Sequence, residues 1–283
     1  MDYYCVLGNP VEHSQSPKIQ ARFAALTGQT LRYTKQWVAL DGFADMLAQL
    51  RADGVRGCNV TVPFKFQACQ AAQHTTQRAQ LAQAANTLRF DDTGIHADNT
   101  DGTGLVNDIQ HNAGISLAGR DILLIGAGGA AAGVVWPLLA VGARRLVVVN
   151  RSADKAAALV ERHRQHPWVQ GLLSKTELLN QQIDAVEGDF DVVVNATTTS
   201  LMGTTPPVSG RVFRPGALAY DMMYGPAAWP FAQWATSHGA VARDGLGMLV
   251  EQAAAAFALW RGVHPPSAQV LREMRAAMPS VGT

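Results

Sequence analysis

Asp121-Ile-Leu-Leu-Ile-Gly126-Ala-Gly128-Gly-Ala-Ala131 opens the stretch that decides the fold. Its aliphatic start predicts a strand, and the glycines that follow predict a tight turn. A small-residue segment to about Ala140 predicts a helix, and Arg145-Leu-Val-Val-Val-Asn150 predicts a second strand. Strand, turn, helix and strand make a βαβ unit. Gly126, Gly128 and Ala131 fit the dinucleotide pattern G-x-G-x-x-A, within the run Gly126, Ala127, Gly128, Gly129, Ala130 and Ala131. The first glycine permits the turn, the second lets backbone approach a pyrophosphate, and the small third residue lets helix and strand pack closely. The pyrophosphate would rest on free N–H groups at the helix start. Many α/β proteins use such a turn without a nucleotide, but here the context is right on both sides. Residues 122–143 carry no charge, yet five glycines and a proline interrupt them, unlike the roughly 20-residue uninterrupted helix of a membrane span.

The end of the second strand selects the nucleotide. An NAD site has an acidic residue there, facing the ribose hydroxyls. This chain has Asn150-Arg151-Ser152-Ala-Asp154-Lys155. Arg151 stands where the acid would be, and its planar donor fork suits a phosphate. Lys155 follows about a turn later. The pattern points to the 2′-phosphate of NADP. The alternative is a solvated basic helix start capped by Ser152, but cations there oppose the helix dipole.

Two domains of ordinary size fit in 283 residues. Hydrophobic residues make up 48% and charged residues 16%, which allows a large core and excludes extended disorder. A net charge of +1 without a basic run argues against a nucleic-acid partner. Met1-Asp-Tyr-Tyr-Cys-Val lacks the features of a secretory signal, and Cys5, Cys58 and Cys69 show neither zinc nor disulfide spacing. The expectation is a cytoplasmic protein with reduced thiols, no metal and no membrane association.

Tyr3 to Gly8 reads as a strand, followed by His13-Ser14-Gln-Ser16-Pro17, with Ser16 as N-cap and Pro17 at N1 of a helix to about Leu26. Two hydroxyls at a helix start also make a small anion site. Residues 30–38 read as a strand, 41–53 as a helix, and 55–62 as a strand ending in Asn59-Val-Thr61-Val-Pro63-Phe-Lys65. Pro63 at N1 would place Lys65 in a first helical turn, where the dipole favours the neutral amine that proton transfer uses. An ordinary surface lysine is the alternative. Two short helices lead to Ala85-Asn86-Thr-Leu-Arg-Phe90, a strand, and then to Asp98-Asn-Thr-Asp101-Gly102 before a helix to about Ala113. Taken locally, Asp101 reads as an N-cap. Past the first βαβ unit, residues 153–165 read as a helix. Residues 190–195, ending at Ala196-Thr197, and 217–226, holding Asp221-Met222 and Tyr224, read as strands. Residues 227–238 follow as a helix. Asp244-Gly245-Leu-Gly opens a helix to about Gly262 that presents Met248 and Gln252 on one face. A buried amide on that face needs partners, which a substrate hydroxyl could supply. A last helix covers residues 265–278.

These motifs together resemble the shikimate dehydrogenase family along nearly the whole chain. The matching stretches are Gly8-Asn-Pro-Val-Glu-His-Ser14-Gln-Ser16-Pro17, Asn59-Val-Thr-Val-Pro-Phe-Lys65, Ala85-Asn86-Thr-Leu, Asp98-Asn-Thr-Asp101-Gly102, the glycine turn, Asn150-Arg151-Ser152, Asn195-Ala-Thr197, Asp221-Met222 and Asp244-Gly-Leu-Gly-Met-Leu-Val-Glu-Gln252-Ala. Their joint order and spacing carry the resemblance.

The resemblance implies two α/β domains. A substrate-binding catalytic domain would comprise residues 1–102 and 244–283, and a doubly wound Rossmann domain residues 103–243. It implies NADP-dependent reduction of 3-dehydroshikimate to shikimate, with Lys65 and Asp101 as the catalytic pair. Ser14 and Ser16 would hold the substrate carboxylate, helped by Tyr224. Thr61, Asn86 and Gln252 would hold ring hydroxyls. Asn150, Arg151, Lys155, Thr197, Met222 and Gly245 would line the cofactor site with the glycine turn. A monomer or homodimer is expected. Three departures stand out: Gln77 replaces a frequent acid, Thr198-Thr-Ser-Leu replaces the usual Ser and Gly residues after Thr197, and Trp229 precedes Pro230 where a threonine is common. Two rivals are an NAD-preferring quinate/shikimate dehydrogenase and a non-catalytic sensor on the same fold. Arg151 and Ser16 count against the first, and the intact Lys65–Asp101 pair against the second.

Overall fold

The computed structural model describes residues 1–278. The last five residues expected in the catalytic domain, 279–283, lie outside the described residues. Two six-stranded sheets form the frame. The first holds β1 (Asp2–Gly8), β2 (Leu31–Trp37), β3 (Gly57–Val60), β4 (His74–Thr75), β5 (Thr87–Asp91) and β6 (Gly94–Asp98) in the order β2-β1-β3-β5-β6-β4. Only β5 runs against its neighbours.

The second sheet holds β7 (Asp121–Ile125), β8 (Arg145–Asn150), β9 (Glu177–Gln182), β10 (Phe190–Asn195), β11 (Phe213–Asp221) and β12 (Val241–Arg243), in the order β12-β11-β10-β7-β8-β9. All its pairs are parallel. Numbered within the sheet, that order is 6-5-4-1-2-3, the doubly wound arrangement expected from the sequence. The central strands β7, β8 and β10 are covered on both faces, so their residues are mostly apolar rather than alternating. Ile122 and Leu124 face the helices Gly129–Ala140 and Ala153–Gln165. Leu123 and Ile125 face the side of Phe231 and Ala235. The switch point lies between β7 and β10, whose carboxyl ends are Ile125 and Asn195.

The last two helices, Leu246–Arg261 and Ser267–Ala276, return to the first sheet's side. Leu246, Val250, Phe257 and Val270 bury Ile19 and Phe23 of the helix Ser16–Thr27. Side chains of this size contribute about 1.5–3 kcal/mol each when fully buried. No helix among the described residues is long and apolar enough to cross a membrane.

Several local expectations change. Ser16 is the first helical residue and Gln15 holds the cap position without a side-chain bond, while Ser14 Oγ accepts from the Ser16 N–H at 3.3 Å. Pro63 is not at N1. It lies within the turn Thr61–Phe64, and the helix Lys65–Gln70 starts after Phe64. Thr100, not Asp101, is the cap residue of the helix Asp101–Asn107, which continues as a π turn over Asp108–Asn112. Strands β4, β6, β9 and β12 were not anticipated. β4 and β12 are two and three residues long, and β9 is a polar edge strand with little periodicity.

His163, on the helix Ala153–Gln165, is fully buried. Its Nδ1 lies 2.8 Å from the Leu159 carbonyl, and Nε2 has no partner among the described residues. Burial holds its pKa down at about 4, against an ordinary 6.5. Above pH 6.5 the ring is neutral in both folded and unfolded chains, and stability is at its full value. Between 6.5 and about 4 only the unfolded chain takes the proton, so stability falls as pH falls. The loss should reach about 2 kcal/mol by pH 5. Urea midpoints at pH 7.5 and pH 5 test this. His163→Leu should shrink the difference, and an unchanged difference would place its origin elsewhere.

Candidate active site

Lys65 follows the carboxyl end of β3 and Asp101 that of β6, two strands that run the same way, so both side chains leave one edge of the first sheet and meet there. Lys65 Nζ lies 2.5 Å from Asp101 Oδ2, and both side chains are largely buried, 13% and 6% exposed. The carboxylate's other oxygen, Oδ1, accepts from Asn86 Nδ2 at 2.8 Å. The same amide nitrogen lies 3.0 Å from Gln252 Oε1 and 2.9 Å from Thr100 Oγ1. Asn86 Oδ1 accepts from the Thr100 N–H at 2.8 Å. The Gln252 amide N–H donates to the Leu249 carbonyl. Asp101 is therefore held at one oxygen by an ammonium and at the other by an amide. A buried charge in this setting is stable because it is both paired and hydrogen-bonded.

Three residues that the sequence reading left out complete the network. Asn59 donates to the Asn86 carbonyl and to Thr87 Oγ1, both at 3.1 Å, and accepts from the Tyr33 hydroxyl at 2.7 Å. Thr100 joins Asn86 to the Gln252 carbonyl. Tyr33 also reaches the Ser16 side chain, and burial pushes its phenol well up. The available signal was Asn59 itself, a polar residue inside an otherwise apolar strand.

Ser14 and Ser16 meet at 3.2 Å between hydroxyl oxygens. Tyr224 reaches the backbone of Gln15 between them, and burial raises its pKa. Thr61 follows β3 directly, and Gly8 at the end of β1 must be small: a Cβ there would lie 2.4 Å from Thr61 Cγ2. Ser14, Ser16, Thr61 and Lys65 thus all follow the carboxyl ends of β1 and β3.

On the second sheet, Gly126 adopts φ +125° and packs against Ala196, beside Thr197. Thr197 donates from both its N–H and its hydroxyl to Asn195 Oδ1. The turn and the Thr197 loop therefore form two walls of the crevice at the switch point. Gly128 is open on its Cβ side, and Gly129 faces Lys65, whose Cβ would be 3.2 Å from an added methyl. Met222 and Gly245 touch: Gly245 N–H donates to the Met223 carbonyl, and a Cβ on Gly245 would lie 2.4 Å from the Met222 carbonyl oxygen. Buried Asp221, held by Ser200 Oγ, Asn195 Nδ2 and the Met223 N–H, has its pKa raised by burial to about 6.

Asn150 turns its amide onto the Ser152 carbonyl. Ser152 occupies the cap position without a side-chain bond. Arg151 and Lys155 are exposed and have no ion-pair partner among the described residues. An NADP cofactor fits this donor set, with open glycine backbone where a pyrophosphate would lie and two uncommitted cations beyond. Gln77 is exposed at the start of the helix Gln77–Ala82. The described residues contain no cluster suited to a metal ion.

Family models for the shikimate dehydrogenase substrate binding domain, shikimate / quinate 5-dehydrogenase and the shikimate 5'-dehydrogenase C-terminal domain match residues 6–88, 108–204 and 245–275. Shikimate dehydrogenase (NADP(+)) of Acidovorax sp. is 62% identical over 98% of this chain and 97% of its own. The chain belongs to the shikimate dehydrogenase family. The enzyme of the same name from Methylibium petroleiphilum is 56% identical over 100% of this chain and 97% of its own. Shikimate 5-dehydrogenase of Thermus thermophilus, solved in complex with NADP(H) and shikimate, superposes with a TM-score of 0.83 at 28% identity, covering 98% of this chain and 100% of that one.

The helix that carries Asp101 is docked through backbone. A Cβ on Gly102 would lie 2.2 Å from Pro137 Cγ and 2.6 Å from the Gly133 carbonyl oxygen. Gly102→Ala should therefore force the helices apart. Overpacking of this kind costs about 1–3 kcal/mol, read as a lowered melting temperature. A variant as stable as the parent would show that the contact yields freely.

Proposed function

We propose that Lys65 and Asp101 are the proton-handling pair of this enzyme and that the two sheets divide its labour. The chain catalyses the reversible NADP-dependent reduction of 3-dehydroshikimate to shikimate, a step towards chorismate and the aromatic amino acids. In the proposed division, residues 1–102 with 244–283 bind substrate and carry the pair, and residues 103–243 bind NADP. The observation that carries the catalytic assignment is the 2.5 Å Lys65–Asp101 contact beside the glycine turn.

When bound, NADPH supplies the hydride to the C3 carbonyl. The Lys65 ammonium donates a hydrogen bond to that oxygen, stabilises the developing negative charge and passes a proton to it. Asp101 orients the ammonium and balances its charge, and Asn86 fixes the carboxylate from its other side. Ser14 and Ser16 bind the substrate carboxylate through hydroxyls and the helix start, with Tyr224 closing that end. Thr61, Asn86 and Gln252 hold the ring hydroxyls. In the oxidative direction each proton step runs in reverse.

Gly126, Ala127, Gly128, Gly129, Ala130 and Ala131 cradle the pyrophosphate. Arg151 and Lys155 take the 2′-phosphate beside Asn150. Thr197, Met222 and Gly245 border the nicotinamide end of the crevice. The enzyme works in the cytoplasm as a monomer or homodimer, a setting that suits three free cysteines and near-neutral charge.

Lys65→Met keeps chain length and removes the amine. It should lower kcat by about 10²–10⁴-fold with a much smaller change in KM. Asp101→Asn should also lower kcat, and the double variant should be little worse than the worse single one. Wild-type turnover in Lys65→Met would end the catalytic assignment.

Arg151→Ala removes a charge-assisted phosphate contact. It should weaken NADP binding by about 1.5–3 kcal/mol and leave NAD binding nearly unchanged. Titration with each cofactor checks this, and equal losses for both would overturn the phosphate role.

A further inference from the structure

Asp108 lies where the chain leaves the first sheet for the second, and it is fully buried. Four donors converge on it. Arg243 Nη2 and Asn112 Nδ2 reach Oδ1 at 2.6 and 3.0 Å, while Arg243 Nε and the Tyr220 hydroxyl reach Oδ2, both at 2.8 Å. Tyr220 and Arg243 come from β11 and β12, beside Asp221-Met222 and Asp244-Gly245. The fifth neighbour is backbone: a Cβ on Gly247 would stand 1.7 Å from Asp108 Oδ1. Asp108 thus joins the outgoing chain crossing, the returning crossing, and the ends of two cofactor-sheet strands.

Seven positions separate Asp108 from Asp101, about two turns along one continuous helical segment. The same segment presses on the helix that carries Gln252, since a Cβ on Gly104 would lie 2.8 Å from Gln252 Cβ. Any shift of Asp108 relative to Arg243 and Tyr220 therefore moves Asp101 and Gln252 relative to the cofactor sheet. We infer that Asp108 is a positioning residue, which through Arg243 and Tyr220 sets the distance between the substrate carbonyl and the nicotinamide.

The inference rests on the catalytic reading above. It gives Asp108 no contact with substrate or cofactor, so its effect belongs in turnover and not in the binding of either ligand alone. Reacting groups misplaced by about 1 Å lose on the order of 10²-fold in rate.

Asp108→Asn keeps the shape and removes the charge. Below its melting temperature it should lower kcat by about 10–100-fold, with the dissociation constants of NADP+ alone and shikimate alone unchanged. The deuterium isotope effect with NADPH labelled at the transferred position should rise as hydride transfer becomes limiting. Tyr220→Phe, which deletes one donor and keeps the ring, should change kcat in the same direction by less. It decides the matter if Asp108→Asn does not fold. A lowered melting temperature with normal kcat in the folded variants would overturn the inference. So would a kcat loss matched by weaker binding of either ligand alone. Failure of the catalytic reading shows separately, as normal turnover in Lys65→Met, and leaves the Asp108 comparison of turnover with binding intact.

Discussion

The segment Asp101–Asn112 is in backbone contact with two other helices at once, and the active site depends on that closeness. Gly102 meets Pro137 and the Gly133 carbonyl on one side, and Gly104 meets Met248 and Gln252 on the other. Pro137 has no N–H to give the Gly133 carbonyl four residues earlier, which leaves that part of the helix without its usual intrahelical bond. Asn99 fills the adjoining space, 2.7 Å from where a Gly133 Cβ would stand, and accepts from the Asp101 N–H. Side chains larger than hydrogen at these positions would separate the carboxylate from the glycine turn it has to face. Close packing thus does more here than stabilise: it sets how near the Asp101 carboxylate stands to the glycine turn, the distance on which the proposed chemistry rests.

Charge is managed in opposite ways at the two ends of the site. Around Lys65 and Asp101 the formal charges cancel, and the groups around them are hydrogen-bonded to one another. In a water-poor site such a network is rigid, because breaking one bond exposes an unmet polar group. At Arg151 and Lys155 nothing cancels the charge, and the side chains stay in water. In the proposed reading these solvated cations keep their hydration until a phosphate replaces it. The first end favours precision, the second capture.

Much of this was legible in the chain. The βαβ pattern of residues 121–150 and the alternation elsewhere gave the doubly wound sheet, because buried parallel strands and a glycine turn leave strong local marks. Lys65, Asp101, Asn86 and Gln252 were named beforehand, and the structure brings them into one network. Capping was read less well. Ser16, Pro63 and Asp101 each sat a position or two away from the expected role, since Ser14, the turn before Lys65 and the Lys65 ammonium compete for the same groups. Local rules carry no information about such distant partners. Tyr33, Thr100 and Asp108 were overlooked for the same reason: their importance comes from neighbours 26, 152 and 135 positions away.

The return of the last helices to the first sheet also bears on how the protein is made. Ile19 and Phe23 are covered by Leu246, Val250 and Phe257, which leave the ribosome only after all of β7 to β12 has been synthesised. The first sheet must therefore wait with an apolar helix face open while an entire second sheet is translated. Domains synthesised first ordinarily fold first; here the earlier half of the chain is finished last. During synthesis that uncovered face is a natural place for a chaperone to act.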